Sequence, residues 1–512
     1  MISLIATAAL ATPPRGPDFD GDGFQDLAIG VPDENVGGWV DAGSLVLLYG
    51  DSLGLDTKAG VNLALWQSGT GVDGTSVDGG SASSEHFGAA LAWGDFNGDC
   101  FDDLAVGVPG TIVAGGAGAG VVQIFYGSVD GPSTADDTIW HRDTPDMVEA
   151  PAAGDGFGAS LAAGDFDQDG FDDLAVGVPG DNVGAIVDAG SVQVLYGDVA
   201  GFDLTRDQAL HRSWATIGGT ATTSDAFGYV LTAGDFNCDG FDDLGVSSKE
   251  KVGLVSGAGA VHVIPGRWDG LAMTNDAVLT KDSPLVDGSP LANGWFGKAL
   301  VAGNIDDDFL ISECDDLVVA SNATIGGGVG AGDVNLFMGD PSGPVAATVD
   351  QWSQDNLDGS PEAGDAFGTS LALGEFDNDA NLDLAVGVME NSGEGAVHVV
   401  TGTATGLTTT DQQLWTRASP GIGGVITSDD EFGHHLTVGD YDGDGESDLV
   451  VAGDPAGDGS GEIVVLYTDG LSLPAVDSAE DWDESKIGAT STSAGDGMGR
   501  SLVPARRKDT CP

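Results

Sequence analysis

Residues 18–26 read Asp-Phe-Asp-Gly-Asp-Gly-Phe-Gln-Asp. Carboxylates at Asp18, Asp20 and Asp22 alternate along a stretch in which glycine permits a sharp turn, Phe24 can offer its carbonyl, and Asp26 closes the set. Calcium, a hard cation that takes about six to eight oxygens, asks for a loop of this kind. Two carboxylates about 4 Å apart repel by roughly 4 kcal/mol at an effective dielectric near 20, so three or four converging in one loop call for a cation. The closing acid comes at position nine rather than twelve and strand-like sequence flanks the loop, so it is not an EF-hand.

Other chemistry finds little support. His-Glu-x-x-His metal spacing and a Gly-x-Ser-x-Gly nucleophile elbow are both absent. Gly69-Thr70-Gly71-Val72-Asp73-Gly74 matches a dinucleotide fingerprint in letters but lacks the preceding strand and following helix that would cradle a pyrophosphate. His434-His435 stands where other copies of the repeat described next carry Ala159-Ser160 or Thr369-Ser370, so a packing or axial role is expected of it.

The acidic loop recurs. Phe-Gly pairs begin at Phe87, Phe157, Phe227, Phe296, Phe367 and Phe432, 65 to 71 residues apart, and in each the acidic loop starts eight residues after the Phe. Runs such as Leu174 to Val178 and Ser191 to Tyr196, β-branched or aromatic and bounded by Gly, Pro and Asp, read as strands. One strand precedes the loop, and a fourth often carries a tryptophan: Trp66, Trp140, Trp352, Trp415 and Trp482. Four strands per unit are the arithmetic of a propeller blade. The first loop arrives without a preceding Phe-Gly strand, while the chain ends on an orphan one, Met498-Gly499-Arg500-Ser501-Leu502. The expectation is an all-β, seven-bladed propeller of four-stranded antiparallel blades, closed by pairing the C-terminal strand into the first blade.

Phe-Gly, an aspartate loop and then Gly-Val-Pro at Gly30 to Pro32, Gly107 to Pro109 and Gly177 to Pro179 resemble the FG-GAP repeat of the integrin α-subunit propeller and its bacterial relatives. The resemblance runs from about Asp18 to Leu502, with the Gly-x-Pro element altered in later copies, as at Gly245-Val246-Ser247 and Gly387-Val388-Met389. Carried over residue by residue, it implies ligands Asp95, Asn97, Asp99 and Asp103 in the second blade, Asp165, Asp167, Asp169 and Asp173 in the third, and Asp235, Asn237, Asp239 and Asp243 in the fourth. The sixth would use Glu375, Asp377, Asp379 and Asp383, and the seventh Asp440, Asp442, Asp444 and Asp448. Phe101, Phe171, Phe241, Asn381 and Glu446 hold the carbonyl position of Phe24. The fifth loop, with Asn304, Asp306 and Asp308, departs from the pattern because its closing acid, Asp316, arrives four residues late; binding there is left open. Five to seven calcium ions are expected, in a structural role.

The 82 acidic against 16 basic residues, a net charge of −66, argue against nucleic acid or an anionic membrane as partner. Met1 to Ala11, apolar and ending Ala9-Leu10-Ala11, reads as a signal peptide, leaving 12–512 as one propeller that is secreted, periplasmic or held at the cell surface. No later segment reaches the roughly 18 apolar residues of a membrane span. Of the four cysteines, Cys238 and Cys314 fall in adjacent loops and Cys100 and Cys511 near the ring closure, so these two pairings are expected. The loops opposite the acidic turns, including 33–42, 67–85, 213–225 and 419–431, vary while the frame repeats. A monomeric recognition or adhesion scaffold for an extracellular protein or glycan, without catalysis, is the leading expectation. A polysaccharide-acting enzyme and an architectural surface component are the alternatives.

Overall fold

The computed structural model describes residues 15–56, 83–134, 137–213, 217–272, 276–306, 314–344, 351–389, 393–422, 430–453, 461–468, 476–483 and 498–506, less 37, 285, 287, 358, 378 and 380. The expected signal peptide, Trp66, Asp308 and Cys511 lie outside them. Seven four-stranded antiparallel sheets form the blades of a β-propeller, as expected. The third blade shows the plan: Ser160–Gly164, Asp173–Val178, Ser191–Asp198 and Gly201–Leu210 pair in that order from the axis outward. Trp140, Trp352, Trp415 and Trp482 all end fourth strands.

Ring closure also follows the expectation. Ser501–Leu502 pairs with Leu27–Val31 as the innermost strand of the first blade, with Ile29 opposite Leu502. Beyond it, the backbones of Arg15 and Arg506 exchange two hydrogen bonds of 3.0 Å, so the two ends of the described chain grip each other.

Each Phe of a Phe-Gly pair is fully buried, and the apolar core is split into wedges between neighbouring blades. The Phe-Gly and Gly-x-Pro glycines explain one another. Gly158 has φ +88°, a region that favours glycine, and its carbonyl lies 2.1 Å from where a Cβ on Gly107 of the preceding blade would sit. Where Gly30, Gly107, Gly177 and Gly387 stand, neighbouring blades meet backbone to backbone at a glycine seam, while Ser247, Ala320 and Ala452 put a Cβ at that place in the other three. In the fourth blade the backbone bonds place Ser247, not Gly245, at the position of Gly177: Gly228 donates to the Ser247 carbonyl as Gly158 does to that of Gly177. The altered element there is Ser247-Ser248-Lys249, which corrects the alignment read from sequence.

Candidate metal centres

In the second to seventh blades the first and second strands are joined on one face of the ring, where the acidic loops lie, and in the first blade the loop leads directly into the second strand on that face; the second-to-third and fourth-to-first connections lie on the other. Inside a loop the carboxylates shape the backbone. Asp18 accepts the N–H groups of Asp22 and Gly23 at 3.1 and 3.0 Å, Asp20 accepts that of Asp22, and Asp22 that of Phe24. The same pattern holds Asp165, Asp167 and Asp169 in the third loop, and Asp95, Asn97 and Asp99 in the second. In the fourth, Asp235 and Asp239 repeat it, while the Asn237 amide turns to both oxygens of Asp243.

The ninth-position acid opens the second strand and is buried. Asp103 accepts from the N–H groups of Phe96 and Gly127 at 3.0 and 2.9 Å, and Asp26, Asp173, Asp383 and Asp448 bond in the same way. Burial, then the neighbouring loop carboxylates, pushes the carboxyls of Asp103, Asp243 and Asp383 up to about 8 and that of Asp448 to about 9. Such a set is held ionised only by a compensating positive charge.

Asp18, Asp20 and Asp22 bring one oxygen each within 4.8 Å of one another, as do Asp165, Asp167 and Asp173, Glu375, Asp377 and Asp383, and Asp440, Asp442 and Asp448. Asp377 Oδ1 and Asp440 Oδ1 are buried and accept no hydrogen bond. All-oxygen donor sets with orphaned buried oxygens fit a hard divalent cation.

Three loops depart from the common form. In the third, Arg206 reaches from the outermost strand to bond Asp167 and also Asp169, at 3.3 Å, with its guanidinium 4.8 Å from the Tyr196 ring centre. An internal cation thus lies against two of the expected ligands. In the fifth, Asp316 pairs with Gly303 as Asp103 does with Gly94, and accepts the N–H groups of Ile305 and Gly339. The late acid reaches the closing position because the additional chain lies before it, and both polar atoms of the buried Asn304 amide lack partners among the described residues. In the seventh, the Glu446 carboxyl is pushed up to about 7 by burial and by Glu375 of the sixth loop, so its side chain couples two loops besides any role of its carbonyl.

The loops are also linked around the ring. Asp172, Asp242 and Asp315 each accept the backbone N–H of the first loop residue in the preceding blade, Asp95, Asp165 and Asp235, at 2.7 to 3.1 Å. Arg15 pairs with Asp102 and Arg506 with Asp172, and the two guanidiniums lie 5.1 and 4.6 Å from the Trp93 ring centre. Trp93 in turn donates to the Pro504 carbonyl at 2.7 Å. Cys238 and Cys314 form the expected disulfide between the fourth and fifth loops. Cys100 is also disulfide-bonded, and its expected partner, Cys511, is outside the described residues. His434 and His435 stack edge to face, centroids 4.5 Å apart, and desolvation pushes His435 down to about 3. Among the described residues no helix is long and apolar enough to cross a membrane.

The FG-GAP repeat family matches residues 16–48, 87–125, 157–195 and 367–400. Integrin alpha-PS5 of Drosophila melanogaster is 33% identical over 165 residues, covering 32% of this chain and 14% of the relative. Phosphatidylinositol-glycan-specific phospholipase D of Rattus norvegicus is 32% identical over 219 residues, covering 42% of this chain and 24% of that protein. The match therefore spans a quarter or less of these curated relatives. Among solved structures, the BP39L lectin of Burkholderia pseudomallei aligns over 90% of this chain and 99% of its own, with 15% identity and a TM-score of 0.42.

Proposed function

Because four stretches of the chain match the FG-GAP repeat, we propose that it is a calcium-stabilised, non-enzymatic recognition scaffold that works outside the cytoplasm. The observation that carries this reading is the division between the two faces. One repeats a carboxylate loop blade after blade, and the other bears the connections that vary. Asp18, Asp20, Asp22 and Asp26, with their counterparts in the other loops, would hold calcium, which supplies the positive charge that lets buried carboxylates ionise together. The Cys238–Cys314 disulfide supports an oxidising compartment. The variable face would then bind an extracellular protein or glycan.

The test is a thermal melt with millimolar calcium and with excess chelator, alongside elemental counting of bound ions. At a dissociation constant of about 0.1 mM per site, millimolar calcium contributes roughly 1.4 kcal/mol per loop. Five to seven ions per chain and a large fall on chelation are expected; an unchanged melt with no bound calcium sinks the metal assignment. An array of glycans and surface proteins tests recognition, and a polysaccharide-degradation screen tests the enzymatic alternative.

A further inference from the structure

The described basic residues are nearly all spoken for. Every arginine among them, and Lys281, is ion-paired with a carboxylate. Lys249, Lys251 and Lys298 have no such pair among the described residues, and Lys298 donates instead to the Ala366 carbonyl at 3.0 Å. In a chain with 82 acidic residues, cations left available side by side are a local exception.

Lys249 and Lys251 line a cavity of about 450 Å³ at the seam of the fourth and fifth blades, on the face opposite the acidic loops. That volume lies within the range of small-ligand sites, about 300–1,000 Å³. The Lys249 ammonium sits 3.5 Å from the ring centre of Tyr229 and 4.1 Å from that of Trp295, whose rings meet edge to face at 4.8 Å. The Trp295 indole N–H is buried and donates to nothing. Hydroxyl and amide groups of Thr222, Ser224, Ser256 and Asn293 stand along the remaining wall. Asp225 also lines the cavity, its carboxylate bonded to the Thr222 hydroxyl and to Arg212 at 2.7 Å, a guanidinium it shares with Glu250.

The three cluster residues stand at positions that vary from blade to blade. Tyr229 follows a Phe-Gly pair where Ala89 and Ala159 do so elsewhere, and Lys249 stands six residues after a closing acid, where Pro32, Pro109 and Pro179 do. Trp295 precedes the Phe of its blade at φ +44°, a position held by His86, Gly156, Ala226, Ala366 and Glu431 in other blades. The positive φ belongs to the repeat, since His86, Ala226, Ala366 and Glu431 share it, and what sets this copy apart is the indole carried there.

We propose that this seam cavity binds a carboxylate-bearing saccharide, with Trp295 packing against the sugar ring, Tyr229 positioning Trp295 and Lys249 from behind the lining, and Lys249 and Lys251 pairing with the ligand carboxylate. The inference rests on the reading of this face as a recognition surface and commits it to one ligand class. Sugar rings pair apolar C–H faces with polar edges, which suits aromatic side chains beside hydroxyls and amides. Desolvation holds the Lys249 ammonium below its ordinary value, so a ligand carboxylate would find it poorly solvated and available.

The probes are trigalacturonate and its methyl ester, titrated calorimetrically into the calcium-loaded protein. Wild type should bind the acid at least tenfold more tightly than the ester. Trp295→Gly, Tyr229→Ala and Lys249→Ala should each weaken the acid tenfold or more. Trp295→Gly and Tyr229→Ala restore residues other blades already carry, so wild-type calcium-dependent melts are expected and certify the fold. Equal binding of acid and ester, or variants that bind like wild type, overturns the proposal. A protein that ignores trigalacturonate but binds other glycans or proteins on an array overturns this pocket and leaves the recognition reading standing; one that binds nothing overturns both.

Discussion

Replacing Gly107 by alanine tests the glycine seam directly. The new Cβ would sit 2.1 Å from the carbonyl oxygen of Gly158, 3.1 Å from its carbonyl carbon and 3.3 Å from Ala90 Cβ. Unstrained carbon contacts need about 3.5 Å, so the neighbouring blade must retreat by roughly 1 Å or more along that strand. Gly158 cannot simply turn away, because its N–H donates to the Gly177 carbonyl at 3.2 Å and its own φ of +88° is already set by the turn. Overpacking of this kind costs about 2–3 kcal/mol. Guanidinium unfolding of calcium-loaded Gly107→Ala against wild type reads that loss as a lower midpoint at unchanged slope. The internal control is Ala320→Gly in the fifth blade, where a Cβ already faces Gly368 and its removal should change stability by no more than about 1 kcal/mol. If Gly107→Ala loses less than about 0.5 kcal/mol, blade spacing is not set by this contact and the explanation of the paired glycines is wrong.

Three further outcomes are expected. Arg206→Ala should raise calcium affinity at the third loop severalfold, visible in a calcium titration, because the guanidinium that bonds Asp167 and Asp169 is removed; unchanged affinity would show that Arg206 swings clear without competing. His262 lies between Glu250 at 3.1 Å and Asp276 at 2.9 Å, and their hydrogen bonds raise its pKa against the opposing effect of burial. A raised imidazole stabilises fully below its ordinary value of 6.5 and loses that contribution as pH rises through the folded-state value, so the wild-type melting advantage over His262→Gln should shrink from mildly acid to alkaline pH. Removing Trp93, as Trp93→Ala, should destabilise by about 3–5 kcal/mol and loosen the terminal clasp; ordinary resistance to exopeptidase at both ends would contradict that role.

The seven-fold frame was legible because its determinants are local. A Phe that fills the wedge, a glycine at positive φ and acids on alternate residues recur at a nearly constant period, and each can be recognised within one copy. The fifth loop shows the limit of counting. Asp316 is late in sequence yet on time in the sheet, since strand register rather than loop length places it opposite Gly303. Sequence spacing also set Gly245-Val246-Ser247 in the wrong register, because a chance Gly-Val imitated the motif two residues early. What the sequence could not display were contacts made across blades or from strand to loop. Arg206 is 37 residues from Asp169, and Lys249 meets Trp295 only where two blades adjoin. A useful signal was present at Trp295, an indole where other copies carry His86, Gly156, Ala226, Ala366 or Glu431.

The grip between Arg15 and Arg506 also fixes a direction. Both arginines lie beside acids of the acidic loops, Asp102 and Asp172, so residues 15 and 506 sit together on that face of the ring. A tether leaving along that face from either residue would hold the acidic loops toward its anchor and point the seam cavity outward, where a long or branched polymer could approach without passing the attachment. The same geometry makes either end a safe place for a fluorescent label or surface linkage, since neither would shade the opposite rim.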